Sequence, residues 1–163
     1  MEDLQIFEKM IVKSKINDYE VNFIDNLQNS INSNTNNNSF IIIDDKVYEL
    51  FKNKIDLNNN LIKIKCNEKN KSIDYSKTLI RKLVKSNFRK NDTIVAIGGG
   101  ITQDIVAFIS TVLYRGVKWN FYPTTLLAQC DSCIGSKSSI NFDNYKNLLG
   151  TFSPPNKVFI YKS

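Results

Sequence analysis

TIVAIGGGITQD, residues 93–104, joins an apolar run to three glycines and the start of a helical pattern. Thr93–Ile97 is continuous and mostly β-branched, as a strand buried on both faces requires. Ile101–Leu113 is largely apolar and reads as a buried helix. Between them Gly98, Gly99 and Gly100 carry no side chains, so a phosphate can approach the backbone. The helix that follows points its free N–H groups and positive dipole end at the same place. The spaced third glycine of a GxGxxG fingerprint is missing, and no Gly-Lys-Ser/Thr follows as in a P-loop. Taken alone, the glycines fit either a phosphate or dinucleotide site or a tight left-handed turn. Asp104, placed in the first turn of the helix, reads either as a macrodipole partner or as an acceptor for a ribose hydroxyl.

Outward from this stretch the pattern repeats. Phe40–Ile43 is a second buried strand, Val47–Phe51 a short helix, and Leu61–Lys65 an alternating edge strand. Ile80, Leu83, Val84 and Phe88 give Ile73–Phe88 a helical stripe. Trp119–Tyr122 is a strand, a helix begins at Thr125, and Val158–Tyr161 is a last strand. Strands alternating with helices predict an α/β fold with a doubly wound, mostly parallel sheet. The tract NSNTNNNS at 32–39 reads as a polar loop, and Asn58–Asn60 as a turn.

Length and composition bound the chemistry. The 163 residues make one domain, with 42% hydrophobic and 23% charged residues as in ordinary soluble chains. There is no histidine, so the chain holds no Ser-His-Asp or Cys-His pair and no His-containing zinc site. Twenty-two basic residues against 16 acidic give +6, spread without a basic block. That suits an anionic small substrate better than nucleic acid. No apolar run reaches the ~18 residues of a membrane span, and acids stand where a signal peptide needs bases. A cytoplasmic location is the expectation. Cys130 and Cys133 form a CxxC with only Cys66 to spare; small buried thiols are expected, not a redox pair or metal site.

From Tyr114 to Phe152 polar residues cluster where a core would be apolar. Arg115, Lys137 and Lys146 supply positive charge, and Asp131 and Asn147 can orient hydroxyls. Thr124 and Thr125 follow Pro123 and can cap a helix. Together these residues predict an anion-and-hydroxyl site.

The segments NEKNKS, GGGITQD, YRGVKWNFYPTTLLAQCDSCIGSKSSIN and YKNLLGTFSPP closely resemble 3-dehydroquinate synthase and its sugar-phosphate cyclase relatives, over about residues 40–163. The resemblance implies a Rossmann-like N-terminal NAD-binding domain spanning 1–163, without the family's C-terminal helical domain. That second domain supplies one Glu and two His to a divalent metal, zinc or cobalt, so no metal ligand is expected here. By motif position, Asp44, Glu68, Lys71, Gly99, Gly100, Ile101, Asp104, Thr124 and Thr125 are implied cofactor-binding residues. Asp131, Lys137, Lys146 and Asn147 fall on substrate-binding positions, and Arg115 on an Arg that reaches substrate phosphate across a homodimer. No catalytic residue is assigned within the chain. The implied reaction eliminates phosphate from a heptulosonate or related sugar phosphate and closes the ring by an aldol step, with NAD regenerated. This is carbon–oxygen lyase chemistry of the shikimate route to aromatic amino acids. The departures are Lys46 for the Asn of a DxN, Gln103 and Tyr145 for glycines, and Gly135-Ser136-Lys137-Ser138-Ser139 for GGKTG. They leave the sugar phosphate open. A metal-dependent polyol or glycerol dehydrogenase, or a non-catalytic nucleotide-binding fragment, is the alternative.

Overall fold

The computed structural model describes residues 8–53 and 60–162. A seven-stranded sheet runs in the order β1-β2-β9-β6-β5-β3-β4. Its strands are β1 (Lys9–Val12), β2 (Tyr19–Ile24), β3 (Ser39–Asp44), β4 (Leu61–Ile64), β5 (Thr93–Gly98), β6 (Lys118–Pro123) and β9 (Lys157–Tyr161). Only the β1–β2 pair is antiparallel. The parallel sheet is as the alternation predicts, with β4 at the edge.

Period-two alternation splits each central strand between two cores. Phe40, Ile42, Ile94 and Ala96 face α3 (Ile73–Lys85) and α4 (Gly100–Val112). Ile41, Ile43, Val95 and Ile97 face α1 (Leu27–Asn34) and α2 (Asp45–Phe51). The result is three layers, helix on sheet on helix. β7 (Lys137–Phe142) and β8 (Tyr145–Phe152) form a separate hairpin, which packs along α4 and is hydrogen-bonded to it at two points. The Ser139 N–H donates to Asp104 near the start of the helix, and Thr111 bonds Thr151 near its end.

Several local expectations change. The helix from Ile73 stops at Lys85, because Asn87 turns left-handed (φ 62°) and the Phe88 N–H donates back to the Leu83 carbonyl. Phe88 is thereby driven into the core, edge-on to Phe40 at 4.9 Å. The asparagine tract is not all loop: residues 32–34 end α1, and Ser39 begins β3. The helix is possible because Asn26 caps it and Ile31 anchors it in the core. Asn58 and Asn59 lie outside the described residues. The segment after Thr125 is helical over 126–132, but Ala128–Ser132 is a π-helical turn. The alternating residues Tyr19, Val21 and Phe23 form β2, a strand that the polar N-terminal region obscures.

The topology positions a crevice. β3 leads to β4 on one side, whereas β5 leads to β6 on the other, so the chain parts at the carboxyl ends of β3 and β5. In open α/β sheets ligands bind at such a switch point. Asp44 ends β3 there, and the three glycines follow β5.

Candidate functional site

The glycine turn is an approach device and not a left-handed turn. Gly99 is extended (φ −90°, ψ −164°), and among the described residues the only glycine with positive φ is Gly116. What the turn needs is space. A Cβ on Gly98 would run into the Thr102 side chain, and one on Gly99 would lie 2.9 Å from Thr125 Cγ2. Gly99 is the N-cap of α4 and brings no side chain to it, which leaves the first N–H groups of the helix for a ligand. Ile101 lies in that first turn. Thr124 closes the opposite side: its N–H donates to the Gly98 carbonyl at 2.9 Å, while its hydroxyl is buried without a partner. Thr125 Oγ1 accepts from the Ala128 N–H and caps the next helical segment. An open helix start, a Cβ-free cradle and an orphaned hydroxyl fit the pyrophosphate of a dinucleotide.

Beside the turn lies a continuous polar network. Lys71 Nζ is 2.7 Å from Asp104 Oδ2 and donates at 2.7 Å to Asn147 Oδ1. Asp104 Oδ1 accepts the Ser139 N–H at 3.0 Å, and the Ser139 hydroxyl donates to Asn147 Oδ1. The Asn147 N–H donates to Asn141 Oδ1, and the Asn141 amide donates to both the carbonyl and the Oε1 of Glu68. Asn147 adopts φ 55°, a left-handed conformation that asparagine tolerates better than most residues. The fold therefore gathers Glu68 and Lys71 from the turn after β4, Asp104 from α4 and Asn147 from β8. Asp104 sits one turn deeper in α4 than expected, away from the helix end, and its partner is Lys71 in place of the macrodipole.

Other predicted residues stand elsewhere. Asp44 caps α2 by accepting the Lys46 N–H at 2.9 Å. Asp131 and Lys137 line a cleft of about 820 Å³ between the β1–β2 turn and the 131–137 segment. Lys146 is exposed on β8. Arg115 lies past the end of α4, at the amino ends of the sheet strands and so at the opposite end of the sheet from the glycines, in a cleft of about 540 Å³ with Lys90 and Lys118. The anion-and-hydroxyl cluster read along the chain is thus divided into separate places within one chain. The hairpin is the reason: Lys137 pairs with Phe152 at one end, and Asn147 meets Asn141 near the other. At about 3.3 Å per residue the two ends stand roughly 13 Å apart.

Sequence reasoning did not single out Asn141 and Ser139, although both lie in the SKSSIN segment. Their partners, Glu68 at a separation of 73 residues and Asp104 at 35, leave no local mark. Gln103, where the resembling sequences have glycine, donates to the Ser132 carbonyl at 2.6 Å and accepts from its hydroxyl at 2.8 Å. It ties α4 to the π-helical turn.

The thiols are only partly as expected. Burial pushes Cys66 up to about 12, with the Asp44 carboxylate adding to the effect, and pushes Cys133 up to about 11. Cys130, expected to be buried, is exposed, because the π-helical turn rotates it outward while Cys133 packs inward. At pH 8 a thiol with a pKa near 12 is thiolate in a fraction on the order of 10⁻⁴, so it is inert as a nucleophile. Ellman's reagent at pH 8 is expected to titrate one thiol rapidly in the folded chain and three in denaturant, with the fast thiol lost in Cys130→Ser. Two fast thiols in the folded chain would contradict this placement. Among the described residues no three of His, Cys, Asp and Glu come together as a metal site, so these residues do not fit the divalent metal. No helix among them is long and apolar enough to cross a membrane.

Residues 61–163 match the family described as 3-dehydroquinate synthase N-terminal. A 3-dehydroquinate synthase from Clostridium tetani is 39% identical over 131 residues, covering 77% of this chain and 35% of that protein. One from Streptococcus equi is 32% identical over 158 residues, covering 91% and 44%. The chain thus spans less than half the length of these curated relatives. A solved 2-epi-5-epi-valiolone synthase from Streptomyces hygroscopicus, with NAD+ and Zn2+ bound, superposes with a TM-score of 0.79 at 23% identity, over 93% of this chain and 45% of that one. At that identity the likeness is one of fold.

Proposed function

Because the chain belongs to the 3-dehydroquinate synthase family by its N-terminal domain, we propose that it is the dinucleotide-binding half of a sugar-phosphate cyclase and that its cofactor is NAD. One observation carries this reading. Glu68, Lys71, Asp104 and Asn147 come from three separated segments, fall on the family's motif positions and join in one network beside the glycine turn.

In this reading the N–H groups of Gly100 and Ile101, with Gly99 leaving room, hold the pyrophosphate. The Thr124 hydroxyl gains the partner it lacks, and Thr125 keeps the turn in place. Asp44 and Asp104 accept hydroxyls of the cofactor, and Glu68 and Lys71 fix the loop that covers it. NAD, when bound, supplies a hydride acceptor and donor that is restored at the end of the cycle. Asn147 and Lys146 orient the sugar phosphate from the hairpin, and Lys137 and Asp131 meet its anionic and hydroxyl groups in the larger cleft. Arg115, at the amino ends of the strands, serves a site in a second copy of the chain and not its own. The substrate is a heptulosonate phosphate or a related sugar phosphate, and the net reaction is phosphate elimination with ring closure. The two-histidine metal set implied by the resemblance has no counterpart in these 163 residues, so the chain alone binds cofactor without turning over.

Titration calorimetry with NAD+, together with a coupled phosphate-release assay on a heptulosonate phosphate, tests this. NAD+ binding with no phosphate released, with or without added zinc, is expected. Absence of NAD+ binding would refute the reading, and net NADH formation from a polyol would shift it to a dehydrogenase.

A further inference from the structure

We propose that the turn between β1 and β2 is a wall of the substrate cleft, and that Lys15 and the Tyr19 hydroxyl are additional anchors for the substrate's phosphate group. The inference rests on reading Asp131 and Lys137 as substrate residues and extends that site to a segment that precedes residues 61–163, the part of the chain that the family description covers.

The cleft of about 820 Å³ has Lys13, Lys15 and Tyr19 on one side and Asp131, Ser136 and Lys137 on the other. Its volume is in the range that takes a small polyhydroxy ligand. The walls are joined directly, since the Ser14 and Ser136 hydroxyls lie 3.3 Å apart. Ser136 stands where the resembling sequences have glycine, so this join depends on one of the departures in this chain.

The charges do not cancel. Lys13 is matched by Asp18 at 2.6 Å. Lys15 and Lys137 have no ion-pair partner among the described residues, and only Asp131 opposes them in the lining. Val12, Ile16 and Ile134 add apolar surface to the lining, and both lysines are exposed and open to a ligand.

The second, independent observation is Tyr19. It is 2% exposed and lines the cleft, yet its hydroxyl has no acceptor for its proton among the described residues. The Gly135 N–H lies near the hydroxyl oxygen, and an N–H can only donate, so the proton of the Tyr19 hydroxyl still lacks an acceptor. A buried hydroxyl left without a partner is costly and uncommon. Satisfied by an oxygen of a bound anion, it becomes a donor beside two ammonium groups, which is the composition of a phosphate monoester site.

The test is calorimetric titration of the chain, with and without saturating NAD+, using inorganic phosphate and glucose 6-phosphate as probes and glucose as the uncharged control. Lys15→Ala is expected to weaken phosphate binding about tenfold, with Lys15→Arg restoring it. Tyr19→Phe is expected to weaken it about threefold while raising Tm by a few degrees, because the unliganded chain loses an unsatisfied group. A merely structural tyrosine would instead lower Tm and leave affinity unchanged. Unchanged affinity in Lys15→Ala, or a wild-type chain that binds no phosphate, overturns the proposal. A chain that binds phosphate through Lys15 but no NAD+ refutes the dinucleotide reading and leaves the anion cleft standing.

Discussion

Gly98→Ala is expected to destabilise the fold by about 3 kcal/mol, lowering Tm by roughly 6–12 °C, and to abolish NAD+ binding in whatever fraction remains folded. The new Cβ would fall 2.8 Å from Thr102 Cβ and closer still to its hydroxyl. Thr102 cannot easily retreat. It is fully buried, and its hydroxyl lies 3.0 Å from Cys66 Sγ. Relief must come from moving α4 away from β5, yet α4 carries Asp104 and the open helix start. The same glycine accepts the Thr124 N–H, so displacing it also shifts the segment that closes the crevice. Denaturant melts read the cost. Gly98→Ala/Thr102→Gly should recover about half of it, since the clash is removed while a glycine in the helix costs about 1 kcal/mol. A Gly98→Ala chain within 0.5 kcal/mol of wild type, or a double variant no better than the single one, would show that close approach is not what this glycine provides.

Lys71→Met is the second large effect, an expected loss of about 2–3 kcal/mol together with NAD+ binding. The Lys71 and Asp104 side chains are only 11% and 21% exposed and sit 2.7 Å apart. Removing one partner of such a pair leaves a carboxylate poorly solvated, which costs about 3–5 kcal/mol at full burial. Partial exposure of Asp104 and its remaining bond from the Ser139 N–H put this case at the lower end. Removing both charges is milder: Lys71→Met/Asp104→Leu is expected to regain most of the stability, because no unpaired charge remains. It should not regain NAD+ binding. That divergence between melting temperature and calorimetric affinity separates the pair's structural role from the cofactor role proposed for it. If the double variant bound NAD+ as wild type does, the network would be scaffolding alone.

The candidate site was legible as motif, and little of it as geometry. GGGITQD is legible as a close-approach turn because glycine, strand and helix start are contiguous, and contiguous features leave local patterns. The Lys71–Asn147 bond joins residues 76 positions apart, and nothing in the composition of either neighbourhood indicates the other. Asn141 is a single polar residue in a polar segment. Its importance comes from bonding at once the Lys71 carbonyl, Glu68 and the Asn147 backbone. The exposure of Cys130 escaped the sequence for a related reason: a π-helical turn shifts the facing of every later residue, and periodicity assumes an unbroken helix.

By itself the sequence determined the class of fold and the family. Apolar runs of strand length, alternating with helical stripes, are buried on both faces of a parallel sheet whatever their neighbours, and the glycine turn and its companion motifs are local in the chain. Tertiary structure alone decided which charges meet. Sheet order brings the ends of β3 and β5 together, α4 carries Asp104 to Lys71, and the hairpin's extended spacing holds Lys137 away from Asn147. Burial is a property each residue type carries with it, whereas a hydrogen bond depends on two groups that only the folded chain brings within 3 Å.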